Sequence, residues 1–89
     1  MQQANILIVD DERLIRWSLK ARLEQDGCIV TEAESGEKAL SALESAPPDL
    51  VLLDFKLPDT DGLTLLKKIK QADPDILVIM MTGFSTIET

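Results

Sequence analysis

Two short apolar runs without a polar interruption, Ile6-Leu7-Ile8-Val9 and Leu50-Val51-Leu52-Leu53, constrain the fold of this chain more than any other feature. A strand with one wet face alternates apolar and polar residues. An unbroken run is a strand covered on both faces, as in a parallel sheet flanked by helices. Both runs also end in carboxylates, Asp10 and Asp11 after the first and Asp54 after the second.

The segments between these runs supply the crossovers that a parallel sheet needs. After Asp10-Asp11-Glu12, residues Ile15, Leu19 and Leu23 recur on one helical face, and Gly27 is a C-terminal stop. Cys28 to Ala33 reads as a second strand. Ser35 caps a second helix that buries Ala39, Leu40 and Leu43, and Pro47-Pro48 closes it. Asp49 to Leu53 forms the third strand. Pro58-Asp59-Thr60-Asp61-Gly62 is a turn, with Asp59 and Asp61 as turn formers. Leu63, Leu66 and Ile69 give a third helix its apolar face, and Ile76 to Met81 is a fourth strand. Ser85-Thr86-Ile87-Glu88 has the form of a capping box and starts a fourth helix. This order predicts one α/β domain over residues 1–89, with a parallel sheet and right-handed crossovers.

Composition narrows the function. A net charge of −7 argues against a nucleic-acid-binding face, and Lys67, Lys68 and Lys70 read as the solvated face of a helix. Cys28 is the single cysteine, so an intramolecular disulfide is excluded; it reads as a small core residue, with a reactive thiol as the alternative. No apolar run approaches the roughly 20 residues that span a membrane, and the N-terminus lacks signal-peptide character. A cytoplasmic location is the default expectation. The absence of histidine excludes a histidine base, a histidine metal ligand and a phosphohistidine within this chain.

In open parallel sheets, ligands bind beyond the carboxyl ends of the strands, near a reversal in strand order. Asp10, Asp11, Asp54 and Thr82 all fall at such ends. Carboxylates gathered there repel one another, and a hard cation such as Mg²⁺ is the usual compensation. It would also balance the charge of a phosphoryl group arriving at Asp54, whose carboxylate would form an acyl phosphate. Taken singly, each residue has a plainer reading. Asp10-Asp11-Glu12 suits a helix N-terminus, Asp54 a strand end, and Thr82 a β-strand. The joint placement at one edge carries the argument.

With these residues in view, the chain resembles the receiver domain of two-component response regulators. The matching segments are Ile6 to Glu12, then Val51-Leu52-Leu53-Asp54-Phe55-Lys56-Leu57-Pro58 with Asp61-Gly62, and Met80-Met81-Thr82-Gly83. Ile15-Arg16-Trp17 and Thr82 to Thr89 are similar to the NtrC type, whose regulators activate transcription through an ATPase domain. The resemblance implies a flavodoxin-like fold with Asp54 as phosphoacceptor. Asp11 is implied as a direct Mg²⁺ ligand, Asp10 as one acting mostly through water, and the Lys56 backbone carbonyl as a further ligand. Thr82 is implied as the switch hydroxyl. Pro58 and Gly62 shape the loop, and a sensor histidine kinase supplies the phosphoryl group. Such a chain phosphorylates itself and turns over no released substrate.

The family fold has five βα units, and this sequence carries four strands, three helices and the start of a fourth. The fifth-strand lysine and aromatic residue, and any output domain, have no match here, so the chain reads as a receiver truncated before its fifth strand. On that reading the fourth strand is an apolar edge, which predicts a homodimer or segment-exchanged oligomer. Trp17, off the Ile15/Leu19/Leu23 face, fits either a lost packing partner or plain exposure. Two alternatives stand beside the receiver. One is a receiver-like structural or dimerising fragment without phosphorylation. The other is a phosphohydrolase of the haloacid-dehalogenase kind, disfavoured because Lys56 stands where that family has a second aspartate.

Overall fold

The computed structural model describes residues 3–81. Thr82 and the expected fourth-helix start at Ser85 lie outside the described residues. Strands and helices alternate as β1 (Asn5–Val9), α1 (Arg13–Gln25), β2 (Ile29–Ala33), α2 (Gly36–Ser45), β3 (Leu50–Asp54), α3 (Gly62–Ala72) and β4 (Leu77–Met81). Every strand pair is parallel, and the sheet order is β2-β1-β3-β4. This is the flavodoxin-like arrangement expected from the sequence, with the reversal in strand order between β1 and β3.

The unbroken apolar runs are buried as expected. Ile6, Leu7, Ile8 and Val9 are all inaccessible or nearly so, as are Val51 and Leu53. Leu7, Val9, Val51 and Leu53 share one core with Ala39 and Leu43 of α2 and Leu65 and Ile69 of α3. Ile6 and Ile8 alternate to the opposite face, where α1 lies against β1 and β2. No residue of α1 is fully buried; Ile15, Leu19 and Leu23 are half-buried. Trp17 is 65% exposed among the described residues.

Local chemistry fixes the helix ends. Gly27 adopts φ +89°, a left-handed conformation that glycine accepts without a Cβ clash. There its N–H and that of Cys28 donate to the Glu24 and Leu23 carbonyls and terminate α1. Ser35 accepts from the Lys38 N–H at 3.2 Å and caps α2. Asp49 ties the lower ends of three strands together. Its N–H donates to the Asn5 carbonyl, its carboxylate accepts from the Asn5 N–H, and its carbonyl accepts from the Leu77 N–H.

Four sequence expectations need correction. Ile76 precedes β4 and is a core residue, 3% exposed, because the chain after Pro74 turns inward before entering the sheet. Leu63 is 51% exposed, and Leu65 takes the place expected for it, since α3 aims Gly62, Leu65 and Ile69 at the sheet. Cys28 lies just outside β2 and is half-buried rather than core. Lys70 is not part of a wholly solvated face, because its ammonium donates to the Pro74 and Ile76 carbonyls.

Candidate functional site

The register of the sheet brings the acidic residues together. Val9 pairs with Leu53, so Asp10, the first residue after β1, and Asp54, the last of β3, stand level at the same edge of the sheet. Each of Asp10, Asp11 and Asp54 offers a carboxylate oxygen, and these oxygens all lie within 4.8 Å of one another. Asp10 and Asp54 are buried, at 3% and 7% exposure, whereas Asp11 faces solvent. An open cleft of about 370 Å³ reaches Asp10 and Asp54, walled by Leu14, Ile15, Ser18, Leu19 and Met81.

The loops around the site are held by named bonds. Asp10 continues the sheet through its N–H to the Ala33 carbonyl, and its side chain accepts from the Glu12 N–H at 2.8 Å. That local turn orients the β1–α1 loop and starts α1 without a side-chain cap from Glu12 itself. The Arg16 guanidinium, on the first turn and a half of α1, donates to the Asp10 carbonyl at 2.7 Å and to Glu32 of β2 at 3.0 Å. On the other side, the Phe55 N–H donates to the Met81 carbonyl, and Gly62 returns its N–H to the Phe55 carbonyl at 2.7 Å. Lys56 bridges to Asp61 across the base of the same loop.

Electrostatics at the pocket run against the ionised state. Burial pushes the Asp10 carboxyl above the ordinary range, and Asp11 adds to this, while the Glu12 N–H and Arg16 pull it back. Burial also raises Asp54, with the Asp10 and Asp11 charges in the same direction and the Phe55 and Lys56 backbone N–H groups against them. Both groups bind their protons more tightly folded than unfolded. Their contribution to stability is therefore complete below the unfolded value near 3.8 and is lost as pH rises through the folded values. Two buried, mutually repelling carboxylates beside a third at short range are a hard-oxygen donor set that a divalent cation would stabilise. The residues present therefore fit Mg²⁺. Thermal melts between about pH 4 and 7 are expected to show a Mg²⁺-dependent rise in Tm that is absent at the acid end and grows as both aspartates ionise.

Asp10, Asp11 and Asp54 are thus brought together as the sequence implied, and Lys56 lies in the adjoining loop. Thr82 lies outside the described residues, directly after Met81, which pairs with Asp54. Arg16 was visible in the sequence only as part of a similar segment. Its hold on the Asp10 carbonyl depends on a partner, Glu32, that is distant in sequence. Its side chain is 12% exposed, so Arg16→Met is expected to cost about 1–2 kcal/mol in a urea melt, from loss of charged hydrogen bonds.

Asp59 and Asp61 are more than turn formers. Asp61 caps α3, accepting from the Thr64 N–H at 2.7 Å and the Thr64 hydroxyl at 3.0 Å. The Asp59 carboxylate reaches across to α2 and accepts from the Gly36 and Glu37 N–H groups at 2.8 and 2.9 Å. These bonds hold both carboxyls below their ordinary value. The Asp61 cap has a sequence signal, an aspartate directly before a helical pattern. The Asp59 contact has none, because its donors lie more than twenty residues earlier in the chain.

Comparison with known proteins agrees with this geometry. The sequence matches the response regulator receiver domain over residues 6–89. It is 41% identical over 88 residues to the DNA-binding transcriptional regulator NtrC of Proteus hauseri, covering 99% of this chain and 19% of that protein. It is 40% identical over 88 residues to sporulation initiation phosphotransferase F of Bacillus subtilis, covering 99% of this chain and 71% of that protein. The response regulator TrrA of Thermotoga maritima, solved in complex with Mg(2+)-BeF, superimposes with a TM-score of 0.87 at 38% identity. That match covers 93% of this chain and 72% of TrrA. The chain therefore spans about a fifth of the length of its NtrC relatives and most of the length of smaller ones. With a parallel β2-β1-β3-β4 sheet, an aspartate trio at its carboxyl edge and a family match across both, this chain belongs to the response regulator receiver domains, with an NtrC-type sequence.

Proposed function

We propose that this chain is the phosphoacceptor module of a two-component system and that Asp54 receives the phosphoryl group. The observation that carries the reading is the meeting of Asp54 with Asp10 and Asp11, their carboxylate oxygens within 4.8 Å, with Asp10 and Asp54 lining an open cleft. In the reaction, an Asp54 carboxylate oxygen attacks the phosphorus of a phosphohistidine on a sensor kinase. The P–N bond breaks, the imidazole leaves with its electron pair, and an acyl phosphate forms. Asp10, Asp11, Asp54 and the Lys56 carbonyl are the residues that would hold Mg²⁺. When bound, the ion offsets the negative charge that gathers on the phosphoryl oxygens. The Thr82 hydroxyl is assigned the switch role, turning toward the phosphoryl oxygens once they are in place.

Phosphotransfer of this kind modifies the chain itself and is not turnover of a released substrate. No helix among the described residues is long and apolar enough to cross a membrane, and a cytoplasmic location suits a partner kinase's phosphohistidine. The NtrC relatives are DNA-binding transcriptional regulators by name, and we assign this module to a regulator of transcription. With a net charge of −7, contact with DNA is left to other parts of such a regulator.

The test is incubation with Mg²⁺ and either a small-molecule phosphodonor or beryllofluoride, read by intact mass and by NMR. The expected adduct requires Mg²⁺ and is absent from Asp54→Asn. An adduct that survives this substitution would sink the assignment, as would a folded wild-type chain that forms none. A second reading, a module that pairs with another copy of itself, draws on Leu77 and Ile79, 65% and 52% exposed among the described residues. A compact monomer by light scattering at micromolar concentration removes it.

A further inference from the structure

The β3–α3 loop, residues 55–61, meets the acidic site at one end and α2 at the other. At the site end, the loop leaves β3 directly after Asp54, and the Phe55 N–H donates to the Met81 carbonyl at 3.1 Å. The stem is closed by the Lys56–Asp61 bridge and by Gly62 N–H to Phe55 carbonyl. Leu57 packs against the edge of the core, and beyond it the exposed tip is tied to the rest of the molecule through Asp59. A helix begins with backbone N–H groups that have no partner within the helix. In α2 these are Gly36, Glu37 and Lys38; Ser35 satisfies Lys38, and the two oxygens of Asp59 satisfy Gly36 and Glu37. A second feature marks the same contact. A Cβ on Gly36 would lie 2.6 Å from Thr60 Cγ2, so glycine at the start of α2 is what lets the loop tip dock. The tip is thus fixed to a helix that has no residue in the acidic site.

We propose that Asp59 is a positioning residue for the acidic site, latching the β3–α3 loop to α2 so that the Lys56 backbone stays in place around Asp54 and a bound divalent cation. This rests on the reading that Asp10, Asp11 and Asp54 hold such a cation. The latch adds to the anchorage that Leu57 gives the loop, since Phe55 and Lys56 are exposed and lie outside the core among the described residues. Supports outside a metal's own ligands set ligand orientation, and their loss commonly weakens affinity by tenfold or more.

The experiment is a Mg²⁺ titration of the full chain by calorimetry, comparing wild type with Asp59→Ala, Asp59→Asn, Ser35→Ala and Asp11→Ala. Ser35→Ala removes a capping bond from the same turn of α2 without touching the loop, so it isolates any effect of merely loosening the helix. Asp59→Ala is expected to weaken Mg²⁺ by about tenfold, Asp59→Asn by less because one acceptor oxygen remains, and Ser35→Ala not at all. Should Asp59→Ala fail to fold by circular dichroism, Asp59→Asn decides in its place. Asp59 variants that bind Mg²⁺ as the wild type does, while Asp11→Ala does not, would overturn the latch and leave the cation site standing. Equal weakening by Ser35→Ala would also overturn it, reducing Asp59 to a helix cap. If the wild type binds no Mg²⁺, or Asp11→Ala binds it equally, the cation reading fails and the latch with it.

Discussion

Gly62→Ala is expected to destabilise the fold by about 3 kcal/mol or more, measured by urea unfolding, although alanine is the better helix former by about 1 kcal/mol. The reason is contact with backbone. A Cβ at this position would lie 2.6 Å from the Asp54 carbonyl oxygen and 3.0 Å from the Phe55 Cα, and neither can swing aside as a side chain does. Only the third neighbour, Met80 Cε at 2.8 Å, sits on a flexible group. Relief requires α3 to lift from the end of β3, which would pull Leu65 and Ile69 from the core. The same displacement moves Asp54, so the surviving folded fraction should also bind Mg²⁺ more weakly. A Gly62→Ala chain with wild-type stability and wild-type Mg²⁺ affinity would show that the close approach of α3 to the strand end is not required.

Asp54→Asn should separate stability from function by moving them in opposite directions. The adduct with a phosphodonor is lost outright, since a carboxamide provides no anionic oxygen to attack phosphorus. In metal-free buffer near neutral pH, however, the substituted chain should be more stable than wild type, by on the order of 1 kcal/mol. Burial and the neighbouring Asp10 and Asp11 charges disfavour the ionised Asp54 carboxylate, and the neutral amide relieves both costs. The gain should fade on acidification, where wild-type Asp54 becomes protonated. It should also fade when Mg²⁺ is added, because the cation stabilises wild type alone. A substituted chain less stable than wild type at every pH would mean that the carboxylate is held by favourable partners rather than strained by its neighbours.

Much of this was legible from residue types. Unbroken apolar runs followed by aspartates gave the buried parallel strands and their functional ends, because burial on both faces removes the period-two pattern and only strand ends tolerate charge. Gly27 and Ser35 marked helix ends because their roles depend on their own conformation or on near neighbours. What escaped depends on three-dimensional proximity. Leu63 and Leu65 both suit an apolar helix face, and only the entry angle set by Gly62 buries the second and exposes the first. Asp59 reads as a turn residue until α2 is seen beside it. Arg16 reads as an ordinary helix residue until the Asp10 carbonyl and Glu32 are found on its guanidinium.

The sheet order also has a consequence for how the chain is made. β1 takes up its inner neighbour β3 only when Ile6 meets Leu50, whereas its outer neighbour β2 pairs through Asn5 and Ile29, much closer along the chain. A chain emerging from the ribosome can therefore join β1 to β2 well before the strand bearing Asp54 is available. Long-range parallel pairing of this kind closes slowly. Asp54 is accordingly kept apart from Asp10 and Asp11 in the nascent chain, and its repulsion with them arises only once the surrounding strands and helices are present to contain it.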